Sequence, residues 1–416
     1  MEVFQIHWKR QTILFLVSQA ITLFGSTVVQ MAVIWYVTLQ TESGAWVAAF
    51  TVCSYLPQFL ISFVGGVFAD RHNRKALIIG ADAAIAAVTL AMVFLLPHLQ
   101  DEPVVLSALL VMSAIRSIGA GIQTPAVNAV LPQLVPKEHL MRFNGINATM
   151  QSVVQFAAPA AAGAILATST LRATLLIDVG TAALGIGLLL FVLLPKQTIV
   201  QEKTSVLADM KIGIRYAFSE KLIGKLLVVY GIFIFLCVPA GFLAQLLVSR
   251  VYGDSYWYLT AVELVGFGGM AAGGLLMGIW GGFSSRVKTL LLGLAVFGML
   301  AVGMGLSQNF ILYLALMLFY GVALTMVQTA TTTLIQEKAK EQMQGRVFGL
   351  MGSMYSGFLP LGMAVFGPLA DRVPLQWIMV GSGIALVLLA AVMRFNRGFT
   401  DKTAAPVIDV AVSSDR

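Results

Sequence analysis

Long apolar stretches follow one another along this chain with little between them. A hydrocarbon core about 30 Å thick asks for about 20 apolar residues per crossing helix. Stretches of that kind lie at 12–39, 46–68, 76–97, 103–126, 146–167, 173–194, 226–248, 258–282, 289–306, 309–334, 347–369 and 375–393. The pattern predicts twelve membrane-spanning helices joined by short polar turns. The first span is long and has no small-residue cleavage site, so it reads as an anchor rather than a removed signal peptide.

Composition agrees with the pattern. Hydrophobic residues make up 58% of the 416 and charged residues 11%, less than half the roughly 25% of soluble domains. A soluble surface of this size would need more charge, and so apolar a chain is not disordered. The net charge of +7 does not mark a nucleic-acid binder, because the basic residues are dispersed among short turns. Their distribution sets orientation instead. With the N-terminus in the cytoplasm, 22 of the 26 Lys and Arg fall on the inside, while Arg172, Arg250 and Arg372 fall outside and Arg116 lies within a span. The positive-inside rule then places both termini in the cytoplasm of a cell-membrane protein. Cys53 and Cys237 lie in apolar runs and read as small buried hydrophobes.

The longest polar stretch follows span six. It divides the chain into a six-helix bundle at 1–194, a cytoplasmic linker at 195–225, a second six-helix bundle at 226–393 and a disordered cytoplasmic tail at 394–416. Within the linker, Met210–Phe218 suits a short amphipathic surface helix. The halves echo each other. Gly66 leads a basic turn after span two and Gly278 one after span eight; Gln123-Thr124 in span four matches Gln328-Thr329 in span ten. Matches at nearly one offset suggest duplication, as in transporters built from parallel repeats.

The turn after span two reads Gly65-Gly66-Val67-Phe68-Ala69-Asp70-Arg71-His72-Asn73-Arg74-Lys75. Gly66 permits close helix approach, and Asp70 at a helix end suits the positive N-terminus of a neighbouring helix. This Gly-x-x-x-Asp-Arg-x-x-Arg-Lys run resembles the signature loop of the major facilitator superfamily, with Asn73 where that family usually has Gly. Arg116-Ser-Ile-Gly119-Ala-Gly121, Gln123-Thr-Pro125-Ala126 and Leu131-Pro132 through Leu140 resemble the macrolide-efflux branch. Span five keeps Ala158-Pro159 and Gly163 of a drug-antiporter motif that usually carries Gly-Pro and a double Gly.

The resemblance implies two bundles working by alternating access, with spans 3, 6, 9 and 12 outermost. It also implies an inside gate of Gly66, Asp70, Arg71 and Arg74 against the start of span eleven near Gly345-Arg346, where Asp70 would meet the helix N-terminus and Arg346. The equivalent second-half turn, Gly278 to Lys288, lacks the acid.

Four ionisable side chains lie within spans: Asp82, Arg116, Asp178 and Glu263. Each costs about 2.5–3.5 kcal/mol if it faces lipid at the bilayer centre, so they must be paired, hydrated or near a membrane face. All four are candidates for proton coupling. Arg116 favours a cavity or coupling role over a structural pair. Glu263 suits a cation or proton site as well as a hydrated rim charge. Asp82 and Asp178, on outer spans, favour structural hydrogen bonding. Polar stripes mark a substrate cavity. Gln19, Thr22, Ser26 and Gln30 in span one, and Asn144, Asn147, Gln151 and Gln155 in span five, each recur at spacings of 3, 4 and 4 and so share one helix face. Gln123 and Gln328 join them by the same logic, with helix–helix hydrogen bonding the alternative use. In span eight, the glycines from Gly266 to Gly278 favour close packing.

No Walker loop, metal-ligand spacing or Ser-His-acid grouping is present, so no cofactor, metal or catalysis is expected. An amide-rich cavity with few charges suits a small amphipathic substrate. The expectation is a monomeric, proton-driven exporter of macrolide-like antibiotics. A siderophore exporter or lysophospholipid transporter of the same fold is the alternative, and a non-transporting membrane sensor or assembly partner is the reading of another class.

Overall fold

A computed structural model describes residues 2–136, 139–194, 214–283 and 285–395. Among these residues the long helices run α1 Glu2–Thr41, α2 Gly44–Arg71, α3 Arg74–Leu95, α4 Glu102–Leu134, α5 Leu140–Thr168, α6 Leu171–Leu190, α7 Lys221–Gly241, α8 Ala244–Val251, α9 Tyr256–Trp280, α10 Arg286–Leu306, α11 Phe310–Lys338, α12 Glu341–Ala370 and α13 Leu375–Phe395. Among the described residues, twelve segments are long and apolar enough to cross a membrane. Span seven is interrupted: α7 carries Pro239 near its end, and α8 resumes after Phe242 and Leu243. α1 overshoots its apolar stretch by several turns, because the residues before Thr12 continue the helix beyond the hydrocarbon thickness.

Short polar side chains start several helices, as capping requires. Ser43, Asn73, Thr170, Ser255 and Asn309 each accept hydrogen bonds from backbone amides of the turn they precede. Residues 214–219 are helical, and the rest of the expected linker helix and the tail from 396 lie outside the described residues. Large apolar side chains on the outer surface are well exposed, among them Ile279, Ile311, Trp377 and Val392. Such a belt suits lipid rather than water.

The packing falls into two groups. α1 packs on α5 and α6, α2 on α4, and α3 on α4 and α6; in the second group α9 packs on α11, α10 on α11 and α13, and α12 on α7. The main contacts between groups are α2 with α12 and α5 with α9. Both pairs meet at the same end. A Cβ added at Gly44 would strike Gly367 backbone, one at Gly367 would strike Ala48, and one at Gly163 would strike Thr260. Toward the other end, where Arg71, Arg74 and Lys75 lie, a Cβ at Gly66, Gly145, Gly278, Gly345, Gly349 or Gly352 meets nothing within 4 Å. The groups are therefore shut against each other at the face opposite the basic turns and splay apart toward the basic face.

Candidate functional site: a polar cavity

The polar stripes of α1 and α5 converge on one cavity, lined by the first helix group. A cavity of about 380 Å³ is lined by Gln19, Thr22, Ser26 and Gln30 of α1, Tyr55 and Gln58 of α2, Asp82 of α3, Gln123 and Asn128 of α4, and Asn147, Gln151 and Gln155 of α5. These positions run from the middle of each helix toward the basic face. Gln123 Nε2 donates to Asp82 Oδ1 at 3.0 Å and lies 3.5 Å from Gln19 Oε1. A smaller recess of about 100 Å³ continues from it, sharing Ser26, Gln30 and Gln58 and adding Ser113, Arg116 and Ser117.

Arg116 crosses from α4 to form a buried ion pair with Asp178 of α6. Its guanidinium also donates to the Thr89 hydroxyl of α3 and reaches Ser26 of α1 at 3.4 Å. Thr89 Oγ1 lies 3.1 Å from Asp178 Oδ2. Four helices are tied at one point, and Asp178 keeps the structural role its outer span suggests. Arg116 both pairs and lines the recess.

Asp82 takes the hydrogen bond expected of it, from Gln123. It sits on an outer helix, yet it also stands in the cavity wall and is 2% exposed. Its Oδ2 has no hydrogen-bond partner among the described residues. Helical periodicity gives the angular position of a residue but not which face meets the neighbours. Glu263 stands elsewhere. It is half-buried on α9, takes a hydrogen bond from Gln245 of α8, and lines neither of the two cavities. Gln328, half-buried on α11, lines neither as well. Gly266, Gly269 and Gly273 let α9 lie against α11 at Met317, Leu318 and Val322, which is the close packing expected of them.

At the basic face Arg74 donates to Ala69 O at 2.9 Å and Ala129 O at 2.8 Å, clamping the turn after α2 onto α4. Lys75 reaches Leu190 O and Val192 O of the α6 end, each at 2.8 Å. Arg71 is exposed, and Arg346 is half-buried with Nη1 3.3 Å from Met343 Sδ. Asp70 falls in the last turn of α2, and its side chain lies outside the described residues. In the second half, where the turn lacks an acid, Arg286 pairs with Glu337 of α11 at 3.2 Å.

The opposite face holds a latch that sequence reasoning missed. Asp371, just past α12, accepts from Gly44 N at 2.6 Å, Ala45 N at 2.9 Å and Ser43 Oγ at 2.8 Å. It thereby caps the N-terminus of α2 from the other helix group. Arg250 of α8 pairs with Asp371 at 2.9 Å and donates to Ala370 O at 2.6 Å and to Glu42 O. Partial burial alone would raise the Asp371 carboxyl. The amides of Ala45 and Gly44, the Ser43 hydroxyl and Arg250 outweigh it and hold the group below its ordinary value. The available signal was Arg250, one of the few basic residues on a face otherwise bearing acids.

The major facilitator superfamily model matches residues 15–363. The chain belongs to that superfamily. It is a multi-pass cell-membrane transporter, not an enzyme. Macrolide efflux protein A of Streptococcus pyogenes is 29% identical over 93% of this chain and 96% of its own. The staphyloferrin A transporter of Staphylococcus aureus is 22% identical over 92% and 95%. Among solved structures, a bacterial homologue of the human lysosomal transporter Spinster, in an inward-facing and unoccupied conformation, superposes with a TM-score of 0.70 at 15% identity over 96% of this chain and 99% of that one.

Proposed function

We propose that this transporter exports amphipathic organic solutes, macrolide-like antibiotics first among them, by proton-driven alternating access. The observation that carries the reading is the amide-lined cavity, open toward the basic face and sealed by the Asp371 latch at the other. The charge asymmetry assigns the basic face to the cytoplasm, and with it both termini. The state described is then inward-facing, ready to take solute from the cytoplasm. Amides, hydroxyls and Tyr55 offer many weak partners to a large solute and few fixed charges, which favours breadth over sharp selection. One proton entering through 100 mV in exchange for an uncharged solute supplies about 2.3 kcal/mol, enough to hold a gradient of that solute of about 50-fold. The similarity to a macrolide efflux protein along most of both chains supports the solute class.

The test is accumulation of radiolabelled erythromycin in efflux-deficient cells with and without the protein, before and after a protonophore. Lower accumulation that the protonophore restores is the expected result. Equal accumulation with the protein verified in the membrane sinks the macrolide assignment. The similarity to a staphyloferrin A transporter favours siderophore transport as the second reading, which growth under iron limitation tests.

A further inference from the structure

Two different neighbours hold the two ends of α2. Near its start, Gly44 and Ala48 lie against Gly367 of α12, in the other helix group. Further along, α4 of its own group holds it: a Cβ added at Gly65 would strike Gly121, and one at Gly121 would strike Gln58 and Ile61. Pro57 lies between these two sets of contacts. It has no N–H for the Cys53 carbonyl, and its ring presses on that carbonyl, so the helix is weakest here.

At this point a hydroxyl from α4 enters the backbone ladder of α2. Ser117 Oγ accepts from Gln58 N at 2.9 Å and donates to Ser54 O at 2.8 Å. An unbroken helix joins that N–H and that carbonyl directly. Hydroxyls such as Thr27, Thr38, Thr51 and Thr331 turn back onto a carbonyl of their own preceding turn. Ser117, 4% exposed, instead spends both its donor and an acceptor site on α2. The second half has a related contact: Thr325 of α11 lies 3.1 Å from Met270 O of α9 and 3.2 Å from Gly321 O of its own preceding turn. That hydroxyl stands between the two stations open to Ser117.

We propose that α2 is jointed at Pro57 and that Ser117 is the positioning residue that keeps the joint paired as it opens. In the state described, the hydroxyl bridges Ser54 and Gln58. In the other state Gln58 N–H meets Ser54 O directly, and Ser117 turns to Ser113 O, four residues back. No buried backbone group is left unpaired in either state, which would be costly. The start of α2 can then part from α12 while its remainder stays on α4. The inference rests on reading the protein as alternating between two states, not on which solute it carries.

The experiment uses the full chain with Cys53 and Cys237 replaced by Ala and nitroxide labels at Ala45 of α2 and Ser107 of α4, exposed positions in one helix group. The arm from Pro57 to Ala45 is about 18 Å at 1.5 Å per residue, so a change of bend of about 20° moves its tip by about 6 Å. With Asp371→Ala opening the face, the Ala45–Ser107 distance should gain a second population displaced by that amount. Ser117→Ala should raise that population about tenfold with Asp371 intact, and Ser117→Thr, which keeps the hydroxyl, should return it toward wild type. Pro57→Ala should hold one distance in both backgrounds. Unchanged thermal unfolding of the variants excludes simple misfolding. A constant Ala45–Ser107 distance while labels at Ser169 and Gln308, one in each group, move apart would overturn the joint and leave the two states standing. If neither pair moves, the two-state reading falls and the joint with it. A wild-type distribution in Ser117→Ala would remove Ser117 from the role.

Discussion

Removing the Asp371 carboxyl should open the face that the latch closes. In Asp371→Ala the N-terminus of α2 loses its cap from the other helix group, and Arg250 loses its anionic partner. Loss of a helix cap costs about 0.5–2 kcal/mol. A hydrogen bond to a charged group adds about 1.5–3 kcal/mol. The side chains are 29% and 25% exposed, so the ion-pair share is discounted toward the low values of surface pairs. A net of about 2 kcal/mol is reasonable, and 2 kcal/mol is about 30-fold in the ratio of closed to open states. The readout is the distance between nitroxide labels at Ser169 and Gln308, exposed positions on this face in different helix groups, with Cys53 and Cys237 replaced. A longer-distance population should grow in Asp371→Ala and in Arg250→Ala. A distribution unchanged in both would refute the idea that this contact holds the face shut.

The remaining predictions probe neighbouring parts of the same machine. Since the latch holds Asp371 below its ordinary value, its contribution is present above about pH 4 and is lost as pH falls through the depressed value. The label distance should therefore stay constant from pH 8 to 5 and lengthen only in stronger acid. Gly367→Val places a side chain against Ala48 and the Gly44 carbonyl, so it should prop the same face open without touching the latch charges. Arg116→Ala leaves Asp178 buried without its cation and should cost about 3–5 kcal/mol; thermal unfolding in detergent should drop sharply, and the double Arg116→Met, Asp178→Leu variant should recover much of it. Asp70→Asn should slow labelled-solute transport while the protein still reaches the membrane, and wild-type rates in that variant would remove Asp70 from the gate.

Much of this fold could be read from the chain because a bilayer simplifies the problem. Every crossing needs an apolar run of nearly fixed length, so twelve runs meant twelve crossings among the described residues. The stripes in α1 and α5 were legible for the same reason: amides facing lipid are costly, so Gln19, Gln30, Gln151 and Gln155 had to find a polar interior. What escaped was pairing between distant helices. Nothing local to Asp178 names Arg116 as its partner, and nothing local to Asp82 says that an outer helix turns it inward. At Gln328 one amide on a helix fixes no face, so the stripe logic carries less there. The latch escaped because Asp371 and Ser43 are 328 positions apart, and nothing local to either names the other.

The latch also gives the expected inside gate a physical partner. α2 and α12 run antiparallel, meeting at Gly44 and Gly367 and diverging toward Gly66 and Gly345. At the closed end, the acid just past the end of α12 caps the start of α2. At the open end, Asp70 near the end of α2 is positioned by sequence to do the same for the start of α12, which begins at Glu341. Each helix N-terminus carries partial positive charge; α2 takes its acid from the end of α12, and the expected gate would give α12 its acid from the end of α2. Because the pair meets at one end and diverges at the other, engaging one acid would draw the other away. Two carboxylates of comparable worth then leave the two states within a few kcal/mol of each other, the range in which one bound proton or solute decides which state prevails. Under this arrangement Asp70→Asn and Asp371→Ala should shift the label distance in opposite directions, and the double variant should lie between them. Shifts in the same direction would break the reciprocity, even if each variant alone impaired transport.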